Sequence, residues 1–488
     1  MTQKEMQSIL EIGTAISSEK DYNRLLEMIL NRIMELTHAD AGTLYLADGD
    51  LLRFKIMCNN TMHTCEGGDG KEPNLPPVKL SRENVCAMSY LENRTVCIEN
   101  VRTSTEYDFS GPVRYDAMTG YHTQSMLVVP MHNRQGERLG VIQLINAMDA
   151  AGNICAFPAD IIPAVESVAS QAAITIQNVL YIENIKELFE SFVRVMSSTV
   201  DERTPYNASH TRHMVEYGRH FIDHLNETAK AEGREPWFDA EHRHELLMSV
   251  WLHDIGKLVI PLEVMNKEAR LLPEQKSEIL HRFEKMRLLA QIAYLKGAVS
   301  GEALEKQLEE LKQARDTILR ANTAGFCPDD LREEICRIRE KTYTEEDGSE
   351  KPWLEEEEFQ MLMIRKGTLS EEERAVMESH VVITDKLLSE ICFSKELSHV
   401  REWAASHHEL LNGSGYPKRL MAEQIPMEVR IITILDIFDA LVADDRPYKP
   451  GMPVEKALGI LDIMADKEGK LDPELTRLFR ESRCWEKD

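Results

Sequence analysis

A chain of 488 residues is longer than one hydrophobic core usually organises, so two or three domains are expected, and a hydrophobic fraction of 43% is ample for their interiors. With 57 basic against 83 acidic side chains and a formal charge of -26, the surface should repel nucleic acid polymers and anionic membranes, and a small anionic ligand would need a local basic pocket. No apolar run approaches the roughly 20 residues of a membrane span, and MTQKEMQSILEIG lacks a signal-peptide core, which sets the expectation of a cytoplasmic protein; nine scattered cysteines without a CxxC pair point to reduced thiols rather than a disulfide framework or zinc knuckle.

Residues 1–37 place Ile9, Ile12, Ile16, Leu25, Ile29 and Ile33 at helical spacing. Strand-like runs follow at GTLYL, LLRFKIM and SMLVVPMHN, and RQGE at 134–137 separates the last from LGVIQLIN as the turn of a hairpin. These elements predict a compact α+β domain with a central antiparallel sheet flanked by helices. From Val168 apolar residues recur at threes and fours through Ala172, Ile176, Val179, Ile182, Ile185, Phe189, Phe192 and Met196 with no Gly or Pro, which predicts one long helix leaving that domain. A helix between domains has no core of its own, so its stripe is expected to pair with a second copy of the chain.

Residues 1–180 resemble a GAF domain, on the hairpin, on TGYHTQSMLVVP at 119–130 and on the closing IQLIN at 142–146. The resemblance implies a sensor domain for an unknown small-molecule ligand. Of the dispersed Asn-Lys-Phe-Asp-Glu set that accompanies cyclic nucleotide binding in such domains, Asn146, Phe157 and Asp160 fit, while Ala147 and Ile161 replace the Lys and Glu; cyclic nucleotide binding is therefore not expected. His63, Cys65 and His122 are the candidate haem or metal ligands of this half, set against the commoner reading of such lone residues as packing or surface groups.

Beyond the connecting helix, taken as 168–199, the pattern from 200 to 480 is almost wholly helical, with a short tail at 481–488. ASHTRHMVEYGRHF puts His210 near the start of an amphipathic helix, and WLHDIGKLVIP puts His253 and Asp254 at the end of an apolar run. VMESHVVITDKLL carries His380, HHELLNGSGYP carries His407 and His408, and VRIITILDIFDALVADDRPYKP carries Asp436 within an apolar helix. Burying any one of these groups unpaired is costly, so their recurrence in apolar settings calls for mutual compensation, which metal cations supply. Five histidines and two aspartates without cysteine make a nitrogen and oxygen set suited to Fe, Mn, Co, Ni or Zn. Neighbouring helical residues point about 100° apart, so His253 with Asp254, or His407 with His408, suit two adjacent ions rather than one. Two metals some 3.5–4 Å apart that activate a shared water are the equipment of phosphoesterases.

LHDIGK at 252–257, HHE and GSGYP at 407–417, and DIFDAL with DRPYK at 436–449 occur in the order found in the HD-GYP phosphodiesterases, a branch of the HD-domain metal phosphohydrolases, and the chain resembles that family over about 200–265 and 366–480. The resemblance implies His210, His253, Asp254, His380, His407, His408 and Asp436 as ligands of two divalent ions, with Fe or Mn foremost. Asp254 would bridge the ions, Lys257, Arg446 and Lys449 would meet substrate phosphates, and Tyr416 and Pro417 would lie near the ligand, so that HHE holds metal while GYP faces a phosphate ester. Gly413 and Gly415 supply the turn between them. The implied substrate is a cyclic dinucleotide, chiefly cyclic di-GMP with a mixed GMP-AMP ring open, cut to the linear dinucleotide or on to GMP. Some members hold a third ion with a glutamate at the place of Tyr206; a phenol is a poor replacement, so two ions are expected.

Against that family the chain inserts about a hundred residues at 268–364, where HRFEKMRLLAQIAYL and EALEKQLEELKQARDTILRA, broken by Gly297 and Gly301, predict an antiparallel helical hairpin serving as a lid or partner surface. Glu355–Glu358 reads as a solvated helix start. Two other functions fit the composition: an HD phosphohydrolase for a different nucleotide, which the GYP and DRPY segments oppose, and a non-enzymatic cyclic dinucleotide sensor, which the complete ligand set opposes.

Overall fold

The computed structural model describes residues 13–16, 18–19, 21–68, 73–133, 135–203, 209–443 and 451–486. The chain divides into two compact units, Met1–Phe189 and Glu190–Asp488.

In the first unit the helix Tyr22–Thr37 begins where Asp21 accepts a hydrogen bond from the Arg24 amide at 2.8 Å, satisfying one of the free donors of a helix start. It buries Leu25, Leu26, Ile29, Leu30 and Ile33 on one face. Ile9 and Ile12, expected on the same stripe, lie outside the described residues. The sheet strands are β1 (Ala39–Asp48), β2 (Leu51–Asn59), β3 (Thr64–Gly67), β4 (Val78–Lys79), β5 (Val96–Ile98), β6 (Met126–His132), β7 (Arg138–Met148) and β8 (Ile154–Cys155). They pair antiparallel in the order β3-β2-β1-β7-β6-β5, with β4 on β2 and β8 on β7. The β6–β7 hairpin turns at Gly136, whose φ of +85° suits glycine. Alternation along β6 sorts its side chains: Leu127, Val129 and Met131 join the core under Tyr22–Thr37, while Met126 and Val128 join Tyr45, Leu52, Val85 and Val141 on the other face.

One expectation about cysteine fails here. Cys58 and Cys65 stand directly opposite each other in the β2–β3 register, Cα to Cα 4.1 Å, and form a disulfide. The pairing is set by strand register, which sequence spacing does not reveal, and it removes Cys65 from the candidate ligands. His63 and His122 are exposed. Asn146, read above as part of a nucleotide-binding pattern, is spent on structure: its Oδ1 accepts from the Gln124 and Ser125 amides and its Nδ2 donates to the His122 carbonyl and the Tyr121 hydroxyl.

The long helix runs from Ile162 to Asp201, 40 residues, longer than the stripe alone suggested. Val165, Val168, Ala172 and Ile176 are buried in the first unit, whereas Tyr181, Ile185, Leu188, Phe192 and Val195 are between 53% and 71% exposed.

The second unit packs the helices His210–Ala231, Ala240–Leu252, Met427–Val442, Val454–Asp462 and Pro473–Ser482 around Phe221, Ile432, Leu435, Phe438, Leu461 and Phe479. The insertion has a core of its own, built from Ile279, Phe283, Leu311, Ile318, Leu331, Ile335 and Trp353. Its helices Pro273–Leu295 and Gly301–Thr323 fold back on each other about Gly297, φ +73°. A two-stranded ribbon, β9 (Thr342–Thr344) with β10 (Glu350–Pro352), interrupts the helical pattern; its signal is the Asp-Gly at 347–348. Glu358 departs from the solvated face expected of its acidic run: it is 4% exposed and takes Arg282 in a paired contact, Nη1 to Oε2 at 2.6 Å and Nη2 to Oε1 at 3.0 Å.

Candidate metal centre

Three separated segments deliver histidines to one place through a repeated device. His253 follows the helix Ala240–Leu252, His380 opens the helix His380–Leu388, and His407 follows the short helix Val400–Ala404. In each ring Nδ1 lies 2.7 Å from the carbonyl oxygen three residues back, Val250, Met377 and Ala404 respectively. A carbonyl can only accept, so Nδ1 carries the proton and Nε2 presents a lone pair. All three Nε2 atoms, together with Asp254 Oδ1, are buried without a hydrogen-bond partner. An unsatisfied buried polar atom costs about 1–3 kcal/mol, and four gathered in one spot fit a set of ligand atoms better than a set of core histidines.

Asp254 lies between two groups. Its Oδ2 faces His253 Nε2 at 3.2 Å and His210 Nε2 at 3.9 Å, while its Oδ1 faces His380 Nε2 at 3.4 Å and His407 Nε2 at 3.9 Å. Asp436 also spans them, Oδ1 being 3.4 Å from His210 Nε2 and Oδ2 3.6 Å from His408 Nδ1. Two triads, His380 with His407 and His408, and His210 with His253 and Asp254, each have ligand atoms within 4.8 Å of one another. The donor set, imidazole and carboxylate only, fits a divalent transition metal such as Fe, Mn, Co, Ni or Zn.

The charges follow from this packing. Burial alone would raise the Asp254 pKa, but the Lys257 ammonium and the His253 imidazole beside it hold the carboxyl well below its usual range. Burial pushes His380 down to about 4 and His407 well below an ordinary imidazole, leaving both neutral and competent as donors. His210 runs the other way: burial opposes its charge, yet the carboxylates of Asp436 and Asp439 raise it to about 10.

Asp439 is a residue that sequence reasoning missed. Its Oδ2 receives His210 Nδ1 at 2.6 Å, giving this histidine a carboxylate where His253, His380 and His407 have carbonyls, and the side chain is 1% exposed. The only signal was its place one helical turn after Asp436, on the same face of Met427–Val442. Gly256 is a second omission. A Cβ there would overlap the His380 carbonyl oxygen, so glycine lets the turn Ile255–Val259 press against the helix His380–Leu388. Thr384 joins the two segments, its Oγ1 accepting from the Gly256 amide at 3.0 Å and donating to the His253 carbonyl at 3.1 Å.

The glutamate of HHE corrects the reading of that motif as metal-holding throughout. Glu409 turns to the following loop, where its oxygens accept the amides of Lys418 at 2.6 Å and Leu420 at 2.9 Å. Gly415 passes so close to His408, Glu409 and Leu410 that a side chain would collide with their backbone. Tyr416 is thereby set with its ring 4.8 Å from that of His408, with Pro417 after it, and burial pushes its phenol pKa up. Lys257 pairs with Asp254. Arg446, Lys449 and Tyr206 lie outside the described residues.

Comparison with known proteins places the two halves. Residues 21–176 match the GAF domain family, and residues 357–475 match the HD domain family, a span that holds His380, His407, His408 and Asp436 but begins after His210 and Asp254. Part of the chain is 37% identical over 113 residues to a 3'3'-cGAMP-specific phosphodiesterase of Vibrio cholerae, covering 23% of each. It is 34% identical over 131 residues to a cyclic di-GMP phosphodiesterase of Thermotoga maritima, covering 25% of this chain and 35% of that one. It is 39% identical over 100 residues to a cyclic di-GMP phosphodiesterase response regulator of Xanthomonas campestris, covering 20% and 26%. The matched part thus spans about a quarter to a third of these relatives. No helix among the described residues is long and apolar enough to cross a membrane. By these matches the chain carries a GAF domain at 21–176 followed by an HD domain at 357–475.

Proposed function

We propose that the chain is a metal-dependent phosphodiesterase that opens a cyclic dinucleotide, cyclic di-GMP first among them, to the linear dinucleotide or on to GMP, under the control of its GAF domain. The observation that carries this reading is the set of partnerless buried Nε2 atoms of His253, His380 and His407 facing the two oxygens of Asp254. His210, His253, Asp254, His380, His407, His408 and Asp436 would hold two divalent ions, iron or manganese, with Asp254 shared. Bound there, such ions would supply the positive charge that ionises a water near neutral pH and neutralises a phosphodiester. The protein's own contribution is placement. The carbonyls of Val250, Met377 and Ala404 fix three imidazoles in one tautomer. Lys257 keeps an ammonium beside Asp254, where it would meet a substrate phosphate oxygen, and Arg446 and Lys449 would do the same from the segment after Asp436. Tyr416 and Pro417, held by the Glu409 clamp, would border the ester.

The test is anaerobic purification, metal analysis and chromatography of products after incubation with cyclic di-GMP, the mixed GMP-AMP ring and linear dinucleotides. Hydrolysis of a cyclic dinucleotide is expected; a fully metallated protein that cuts none of them would overturn the reading. Elemental analysis is expected to give about two ions per chain, because Tyr206 lacks the carboxylate a third would need, and Tyr206→Glu is the change expected to add one. Three well-occupied ions in the unaltered protein would refute this count.

The same proposal includes a homodimer. Tyr181, Ile185, Leu188, Phe192 and Val195 alternate spacings of four and three, the seam of a two-stranded coiled coil, while Glu183, Lys186, Glu187, Glu190 and Arg194 fall off the seam. Light scattering at micromolar concentration is expected to give twice the chain mass, and Leu188→Glu to give the monomer. A monomeric unaltered chain would sink the idea.

A further inference from the structure

The long helix ends against the scaffold of the metal centre. Asp201, its last residue, is 6% exposed and accepts from the Thr211 amide at 3.3 Å and the Thr211 hydroxyl at 3.0 Å, next to His210. Two residues on, Arg203 spreads its guanidinium over three carbonyls, of Lys257 at 3.1 Å, of Leu258, and of Ile260 at 3.2 Å. The Arg203 carbonyl in turn accepts Asn266 Nδ2 at 3.4 Å. The three carbonyls lie at the end of the turn Ile255–Val259, and that of Lys257 also accepts the Ile260 amide at 3.2 Å. A guanidinium has enough donors, in a rigid fork, to serve all three at once. From one helix end, then, Asp201 holds the segment that begins with His210, and Arg203 holds the segment that carries Asp254 and Lys257.

We propose that Asp201 and Arg203 are positioning residues for the reaction, and that displacement of the helix Ile162–Asp201 reaches the metal centre through them. The proposal deepens the phosphodiesterase reading and rests on it for its kinetic test. Arg203 grips backbone carbonyls and Asp201 grips Thr211, so their effect passes through the backbone on which the candidate ligands sit. A catalytic group misplaced by a fraction of an ångström to an ångström loses about tenfold to a hundredfold in rate.

The experiment uses the full chain loaded with manganese and cyclic di-GMP as substrate. Arg203→Ala is expected to lower kcat about tenfold to a hundredfold with KM, manganese content and unfolding temperature kept. Arg203→Lys should fall between, and added guanidinium ion should return part of the lost rate. Arg194→Ala, an exposed charge on the same helix, should change nothing. Amide hydrogen exchange at 255–260 should quicken in Arg203→Ala. Glu187→Pro, which breaks the helix at an exposed position, should alter kcat in the unaltered chain and have no further effect in Arg203→Ala. Unchanged kcat and exchange in Arg203→Ala, loss of manganese and cooperative unfolding together in that variant, or an equal effect of Glu187→Pro in both backgrounds would each overturn the proposal. If the unaltered chain cuts no cyclic dinucleotide, the function reading falls, while exchange at 255–260 still decides the grip of Arg203.

Discussion

Asp254→Ala protein is expected to lose cyclic dinucleotide hydrolysis by roughly a thousandfold or more while keeping its helical circular dichroism. The carboxylate faces both triads, so its removal takes an oxygen from each proposed ion and the shared ligand from the pair. Metal-borne charge stabilisation is worth several kcal/mol, and about 1.4 kcal/mol is a factor of ten in rate. The fold should survive because the core around Phe221, Ile432, Phe438 and Phe479 lies in other contacts. His253→Ala is expected to behave alike, since its Nε2 has no role in hydrogen bonding that the fold would miss. Near-normal turnover by an Asp254→Ala preparation of verified metal content would sink the mechanism.

Asp439→Ala is expected to weaken metal binding on the His210 side about 10- to 100-fold, the usual cost of losing a carboxylate behind a histidine ligand. The Asp439 oxygen 2.6 Å from His210 Nδ1 fixes that ring so that Nε2 meets Asp254 and Asp436. Without it His210 can rotate, and its Nε2 is no longer held toward the site. Calorimetric titration of manganese into apo-protein should therefore show one class of site weakened and the other kept, with turnover falling at limiting metal and largely recovering at saturation. Asp439→Asn, whose amide oxygen can still accept from Nδ1, should lie between. Two sites of unaltered affinity in Asp439→Ala would show that His210 is oriented by other contacts.

Asp436 and Asp439 mark the division between what local pattern and tertiary packing decide. Asp436 and Asp439 lie in one motif, DIFDAL, three residues apart and on one helix face, and periodicity treats them alike. Only the arrival of His210 from a helix more than two hundred residues away separates a carboxylate that spans the triads from one that stands behind a histidine. In HHELLNGSGYP the same limit applies to Glu409, whose neighbours in sequence face the site while it faces the loop at Lys418 and Leu420.

By itself the sequence determined the two-domain plan, the sheet of the first unit with its hairpin at 134–137, the long helix and the helical hairpin of the insertion. Each of these is written in spacings of two, three or four residues or in a turn glycine, and such spacings need no knowledge of distant chain. It also singled out the histidines and aspartates set in apolar runs, because burial of a polar group can be inferred from its flanks. Tertiary structure alone decided which buried groups meet: Cys58 with Cys65 through strand register, Glu358 with Arg282 across 76 residues, Gly256 against the His380 carbonyl, and Arg203 on the carbonyls of the turn after Asp254. The reason is physical. A buried polar group is stabilised only by a partner that convergence of separate segments brings within about 3 Å, and convergence is a property of the whole packed core rather than of any window along the chain.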